Sequence, residues 1–250
     1  MTTIVLVPGA WLGSAAWDAV AARLRTAGHE VHPLTLPGLG ERAGAAAAEV
    51  RLADHVADVL DYLSVRDLSD VALVGHSYAG IVTGQVASCA PERVAHAVFV
   101  DANLPQPGLS LTDGWSERGV GFVRRQIEQN GGLWPKPEPT DFEGHDLTEQ
   151  QIALLVAEST DHPGRTLFDP AVLPRPLAQL RATYVNSLKP DPAPHPDLAR
   201  FADSPSWNVV DLDTGRCSPA PPNSPPCSTR SSGRARDTGT AGSAVIGTRA

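Results

Sequence analysis

Between Asp70 and Gly80 the chain reads Asp-Val-Ala-Leu-Val-Gly-His-Ser-Tyr-Ala-Gly, and this stretch narrows the fold more than any other. Four apolar residues make a short buried strand, Gly75 permits a sharp reversal, and the pattern from Tyr78 onward is helical. A serine at the apex of such a strand-turn-helix projects from the sheet edge at a helix N-terminus. The free N–H groups and the dipole there favour developing negative charge. The turn is tight, so small residues must flank the serine. Ala79 stands where a G-x-S-x-G pattern has its last glycine and Gly80 follows one place later; alanine is the mildest departure available. A simple Gly-Ser helix cap would use the same residues, but it does not account for the other loops. Ser77 is the candidate nucleophile.

The rest of the chain repeats the same alternation. Short apolar runs read as strands at 3–7, 29–35, 71–74, 94–101, 182–187 and 207–212, with helices at 15–27, 52–64, 78–90 and 197–202. Strands separated by helices predict an α/β fold with a mainly parallel sheet. From 103 to 180 the rhythm breaks. Trp115, Phe122, Trp134 and Phe142 lie there among many prolines, with a helix at 148–159, so this stretch is expected to be an insertion capping one end of the sheet.

A length of 250 residues with 42% hydrophobic content suffices for one core. The net charge of -8 excludes partners that need clustered Lys and Arg, so neither nucleic acid nor an anionic membrane is expected. The N-terminus lacks the basic and long apolar regions of a signal peptide, and no apolar run is long enough to cross a bilayer. Three cysteines, Cys89, Cys217 and Cys227, make neither a disulfide framework nor a metal spacing. A cytoplasmic enzyme without metal or cofactor is expected.

Two further loops sit where strands end. Val5 to Trp11 reads Val-Leu-Val-Pro-Gly-Ala-Trp, a strand running into a glycine turn, and Pro37-Gly38-Leu39-Gly40 reads as a third loop at the same sheet edge. Together with Ser77 and its neighbours, with Val-Asp-Ala-Asn-Leu-Pro from Val100 to Pro105, and with Trp-Asn-Val-Val-Asp-Leu-Asp-Thr-Gly from Trp207 to Gly215, they resemble one α/β-hydrolase subgroup. That subgroup contains plant methyl esterases, hydroxynitrile lyases and bacterial pyrethroid-hydrolase-like esterases, and the resemblance covers Thr3 to Gly215.

The resemblance implies an α/β-hydrolase fold and hydrolysis of a small carboxylic ester through an acyl-enzyme. It assigns the oxyanion hole to the backbone N–H groups of Ala10 and Tyr78. Family members usually carry His-Gly where this chain has Pro8-Gly9, and the lyases place threonine at the position of Gly9. Gly9 therefore favours ester hydrolysis over cyanohydrin cleavage. A serine at position 77 also argues against haloalkane chemistry, which uses aspartate there. The triad order is Ser, then acid, then His. Asp191, just past the strand at 182–187, is the first candidate for the acid and Asp101 the alternative.

The family's histidine should follow Asp213-Thr214-Gly215, yet the chain continues Arg216-Cys217 and has no histidine after His195. His76 adjoins Ser77 but is expected to point towards the packing of its strand. His29, His32, His55, His96, His145, His162 and His195 are expected to cap, pack or face solvent. Residues 216–250 hold five prolines, five arginines and one acidic residue, with no Leu, Phe, Tyr or Trp, and are expected to be a disordered, aberrant tail. Codons permitted by Arg216 to Arg230, read two bases later, accommodate Met-Leu-Thr-Arg-Pro-Pro-Glu-Leu-Ala-Ala-Leu-Leu-Asp-Ala. That segment has helical spacing and resembles what the family carries after its histidine. A frameshift near Gly215 is therefore expected to have replaced the base and the final helix. The competing expectation is an inactive protein that binds a small hydrophobic ligand under the cap. Sequencing the coding DNA tests the frameshift: the restored frame should encode a histidine just after Gly215, and a frame without one there overturns it.

Overall fold

The computed structural model describes residues 1–143, 147–188, 196–201 and 203–213. A six-stranded sheet is built from β1 (Thr3–Val7), β2 (Glu30–Pro33), β3 (Val71–His76), β4 (Val94–Val100), β7 (Ala182–Leu188) and β8 (Trp207–Asp213). Its order is β2-β1-β3-β4-β7-β8 and every pairing is parallel. The helices are α1 (Asp18–Thr26), α2 (Leu52–Val65) and α3 (Ala79–Cys89), followed in the insertion by α4 (Glu117–Gln129) and α5 (Glu149–Glu158). The insertion also holds a two-stranded antiparallel sheet, β5 (Leu133–Trp134) with β6 (His162–Pro163).

Alternation along β1 shows why the sheet is covered on both faces. Val5 and Val7 enter the main core, while Ile4 and Leu6 enter a smaller one with Ala21 and Val31. α3 is buried from Ala79 to Ser88, with Cys89 exposed at its end, and its even apolarity suits a helix without a solvent face. Gly84 lets this helix pass the insertion closely: an added Cβ would lie 2.5 Å from Pro105 Cγ.

Several elements differ from the sequence expectation. α4 is new: Gly119 and Gly121 interrupt its pattern, and only Val123 is fully buried on it. The helix expected at 15–27 opens with a 3-10 turn, Ser14–Trp17, before the α-helix begins at Asp18. β2 ends at Pro33, which has no N–H to continue a ladder. The helix expected at 197–202 is a 3-10 turn, Pro196–Phe201, in which Leu198 and Phe201 are buried three residues apart, the period of that turn.

Asp169 ties the insertion to α2. Its carboxylate accepts from Arg51 Nε at 2.8 and 3.0 Å and from the Leu52 N–H at 3.0 Å, at the positive end of the helix. Burial alone would raise the carboxyl, but the Arg51 and Leu52 hydrogen bonds outweigh it and hold the carboxyl below its ordinary value. A depressed carboxyl contributes stability above its unfolded pKa of about 3.9, and that contribution is lost as pH falls through the folded value. Asp169→Asn should therefore cost about 1–3 kcal/mol at neutral pH, with the difference shrinking below about pH 3.9. Thermal melts from pH 7 to 2 check this; a pH-independent difference would remove the ion pair as its cause.

Candidate active site

Ser77 sits between β3 and α3 with φ 51°, a left-handed conformation that only a constrained turn imposes on serine. The Ser77 N–H donates to the Val100 carbonyl at 3.1 Å, and the Ser77 carbonyl accepts from the N–H groups of Gly80 and Asn103, each at 3.1 Å. The neighbouring glycines are clearances. A Cβ on Gly75 would lie 2.3 Å from Thr83 Oγ1 and 2.8 Å from the Ala79 carbonyl oxygen, and one on Gly80 would lie 2.4 Å from the Asn103 carbonyl oxygen. That last contact explains the shifted motif: the backbone at Asn103 crosses at position 80, so the glycine is needed there while Ala79 is accommodated.

The loop after β1 presses on the same turn. A Cβ on Gly9 would lie 3.2 Å from Ser77 Cβ and 2.9 Å from His76 Nδ1, so the loop approaches as backbone only. Among the described residues, the N–H groups of Ala10 and Tyr78 donate no hydrogen bond, whereas the Trp11 N–H donates to His162 Nδ1 at 3.3 Å.

Tyr78 is fully buried and flanked by two buried histidines. His55 places Nε2 2.9 Å from the Pro37 carbonyl, so Nε2 is the donor, and Nδ1 accepts from the Tyr78 hydroxyl at 2.9 Å. Burial lowers His55 to about 4, and burial followed by the proximity of His55 lowers His162 well below the ordinary value. Both rings are neutral at neutral pH. Burial also raises the Tyr78 phenol above its ordinary value. These histidines were expected to pack, cap or face solvent. What sequence reasoning missed is that two of them converge on Tyr78, His55 from 23 residues before it and His162 from the distant insertion.

The remaining candidates are dispersed. Asp101, at the end of β4 with φ 41°, accepts the Ser187 N–H at 2.7 Å through Oδ1 and donates its own N–H to Val185. Asp191 lies outside the described residues, as do His145, His195 and residues 216–250. His76 packs edge-on against Trp17, with ring centroids 6.4 Å apart, and burial lowers its pKa. His96 bonds Thr183, and His32 bonds Tyr62 and Glu30. Among the described residues, no hydrogen bond joins a histidine to the Ser77 hydroxyl. From the insertion and the first loop, Trp115, Trp134 and Trp11 pack together, with centroids 4.1 Å apart for Trp11 and Trp134 and 6.2 Å for Trp115 and Trp134, and Trp11 and Trp134 are buried in the core.

A parallel sheet flanked by helices, with a serine on a strained turn between its third strand and the following helix, defines an α/β-hydrolase fold. Residues 4–221 match the model of the Alpha/beta hydrolase family, and the chain belongs to it. A carbendazim hydrolyzing esterase from Nocardioides sp. (strain SG-4G) is 30% identical over 234 residues, 86% of this chain and 92% of that protein. Polyneuridine aldehyde esterase from Rauvolfia serpentina is 33% identical over 116 residues, 43% of this chain and 41% of that protein. Among solved structures, an extracellular alpha/beta-hydrolase from a Paenibacillus species superposes with a TM-score of 0.74 at 23% identity, covering 85% of this chain and 90% of that one. Esterase relatives of this kind support a hydrolase.

The glycine clearances can be tested directly. Gly75→Ala should destabilise the protein by about 1–3 kcal/mol, because one of its clashes is with backbone. Gly44→Ala, where an added Cβ meets nothing within 4 Å, should be near neutral. Urea unfolding of the two variants separates them; equal midpoints would refute the tight turn.

Proposed function

We propose that this chain is built to hydrolyse small carboxylic esters, with Ser77 as nucleophile and the Ala10 and Tyr78 N–H groups as oxyanion hole. The observation that carries the proposal is the approach of the Gly9 loop to the Ser77 turn, with two backbone amides left unengaged beside the serine. In the intact mechanism Ser77 Oγ attacks the ester carbonyl and its proton passes to a base. The carbonyl oxygen, now negative, takes hydrogen bonds from the two amides. Collapse expels the alcohol, which takes that proton, and water then releases the acid from the acyl-enzyme. Asp191 is the proposed acid of the triad. Asp101 is the alternative, and the engagement of its Oδ1 by Ser187 weighs against it. The esterase activities named for the relatives support ester hydrolysis. The setting proposed is the cytoplasm, and the unit proposed is a single hydrolase domain over residues 1–215 with its cap at about 103–180.

In this reading the base is lost. No histidine follows His195 in the sequence, and a frameshift near Gly215 accounts for that absence. The exposure of Val209, Val210 and Leu212 on β8 supports the companion loss of a covering helix. A second reading, an inactive protein that holds a small hydrophobic ligand under the cap, draws on the same absence.

Two measurements test the proposal. A fluorophosphonate should label Ser77, slowly in this chain, and Ser77→Ala should abolish the labelling; persistent labelling of the mutant would reject the nucleophile. Hydrolysis of p-nitrophenyl acetate should be near background here and rise by about a thousandfold or more on restoring the frame, since loss of a triad member leaves only a residual rate. Full activity in the present chain would show that another group serves Ser77.

A further inference from the structure

Deep in the insertion a fully buried residue, His162 in β6, reaches the turn that holds Ser77. Its Nδ1 lies 3.3 Å from the Trp11 amide nitrogen and its Nε2 lies 2.9 Å from Thr166 Oγ1. A backbone amide can only donate, so in the neutral ring Nδ1 carries the lone pair and Nε2 the proton. Thr166 fits this tautomer: its hydroxyl donates to the Pro163 carbonyl at 2.7 Å and leaves its oxygen to accept from Nε2. The same ring packs edge-on against Tyr78, with centroids 4.6 Å apart. Two residues earlier in the chain, the Thr160 N–H donates to the Trp11 carbonyl at 2.9 Å. The insertion therefore grips Trp11 at both its N–H and its carbonyl. Trp11 has φ 67°, a left-handed conformation that tryptophan does not adopt without such a constraint.

We propose that His162 is a positioning residue for the oxyanion hole: by accepting the Trp11 N–H and packing on Tyr78, it sets the Ala10 and Tyr78 amides around Ser77. This rests on the assignment of those two amides made above. Ala10 and Trp11 share a peptide bond, so fixing the Trp11 N–H fixes the plane next to the Ala10 amide. Tyr78 carries the second amide on its own backbone. A phenylalanine at 162 would supply the ring contact with Tyr78 but no acceptor for Trp11.

The test compares the full chain with His162→Phe, which keeps a ring and removes the acceptor, and His162→Asn, which loses volume but returns an oxygen near the place of Nδ1. The readout is the second-order rate of phosphonylation by a fluorophosphonate, with Ser77→Ala as the blank and thermal melting alongside. His162→Phe should react about tenfold more slowly or worse, part of what losing an oxyanion donor costs, and His162→Asn should regain some of that rate although it melts lower. A purely structural role gives the opposite order, with the cavity variant the slower, and that order or a parental rate in His162→Phe overturns the proposal. Labelling that survives Ser77→Ala rejects the nucleophile instead. In that event, or if His162→Phe does not fold, histidine 15N spectra of the unaltered protein decide: the Nε2–H tautomer is required, and an Nδ1–H tautomer at His162 overturns the proposal.

Discussion

The turn at Ser77 is the constraint on which the rest of the molecule depends. A left-handed serine costs about 1–3 kcal/mol and persists only where its surroundings over-determine it. Here three backbone hydrogen bonds do so, and all reach neighbouring chain: the end of β4 through Val100, the following loop through Asn103, and the first turn of α3 through Gly80. The parallel register that sets His76 beside Val100 brings these partners to the serine. Sheet pairing, glycine clearance and the start of α3 are thus parts of one requirement. A backbone shift in any of them would move the serine.

A second layer explains why polar groups are kept in so apolar a place. The Tyr78 hydroxyl is buried and needs a partner, and His55 supplies it; His55 in turn needs the Pro37 carbonyl to take its other proton. Each of these groups is satisfied, and the chain of bonds joins the loop at 37–40, α2 and the turn at Ser77. On the other side of Tyr78, His162 connects to Trp11 and Thr166. Low polarisability around these bonds strengthens them and makes any unpaired member costly, so the network favours a single arrangement.

The strands were legible in the sequence because each is a short apolar run bounded by turn residues, and Ser77 was legible because its turn is local: Gly75, Ser77 and Gly80 lie within six positions. The loop after β1 was legible for the same reason. Elements that depend on distant partners were not. α4 carries Gly119 and Gly121 and buries a narrow stripe, and β5 and β6 are two residues each, defined only by pairing with one another. His162 follows a polar Ser-Thr-Asp run, and nothing local indicates that it meets Trp11 across 151 positions. Periodicity reports which face of an element is buried. It does not report which buried polar groups meet.

The placement of the serine also separates two problems that a defective C-terminus would combine. The Ser77 turn is made by β3, β4 and α3 in the middle of the sheet, and the backbone hydrogen bonds of Ser77 all go to residues before 104. β8 is held by its own contacts: it pairs with β7 from Trp207 to Asp213, Trp207 stacks between Phe99 and Phe201, and the Trp207 indole N–H donates to the Leu177 carbonyl at 3.0 Å. None of these contacts draws on residues after 213. Val209 and Val210 point to opposite faces by the alternation of a strand, yet both are exposed, as is Leu212. A parallel sheet is ordinarily covered on both faces, so β8, the edge strand of the sheet, presents apolar faces that invite covering and an edge that invites pairing. The Ser77 turn and the loop after β1 are therefore held by contacts that do not draw on whatever follows β8. A base supplied from beyond that strand would be a separate contribution, and its loss would leave the serine correctly placed but without a group to take its proton.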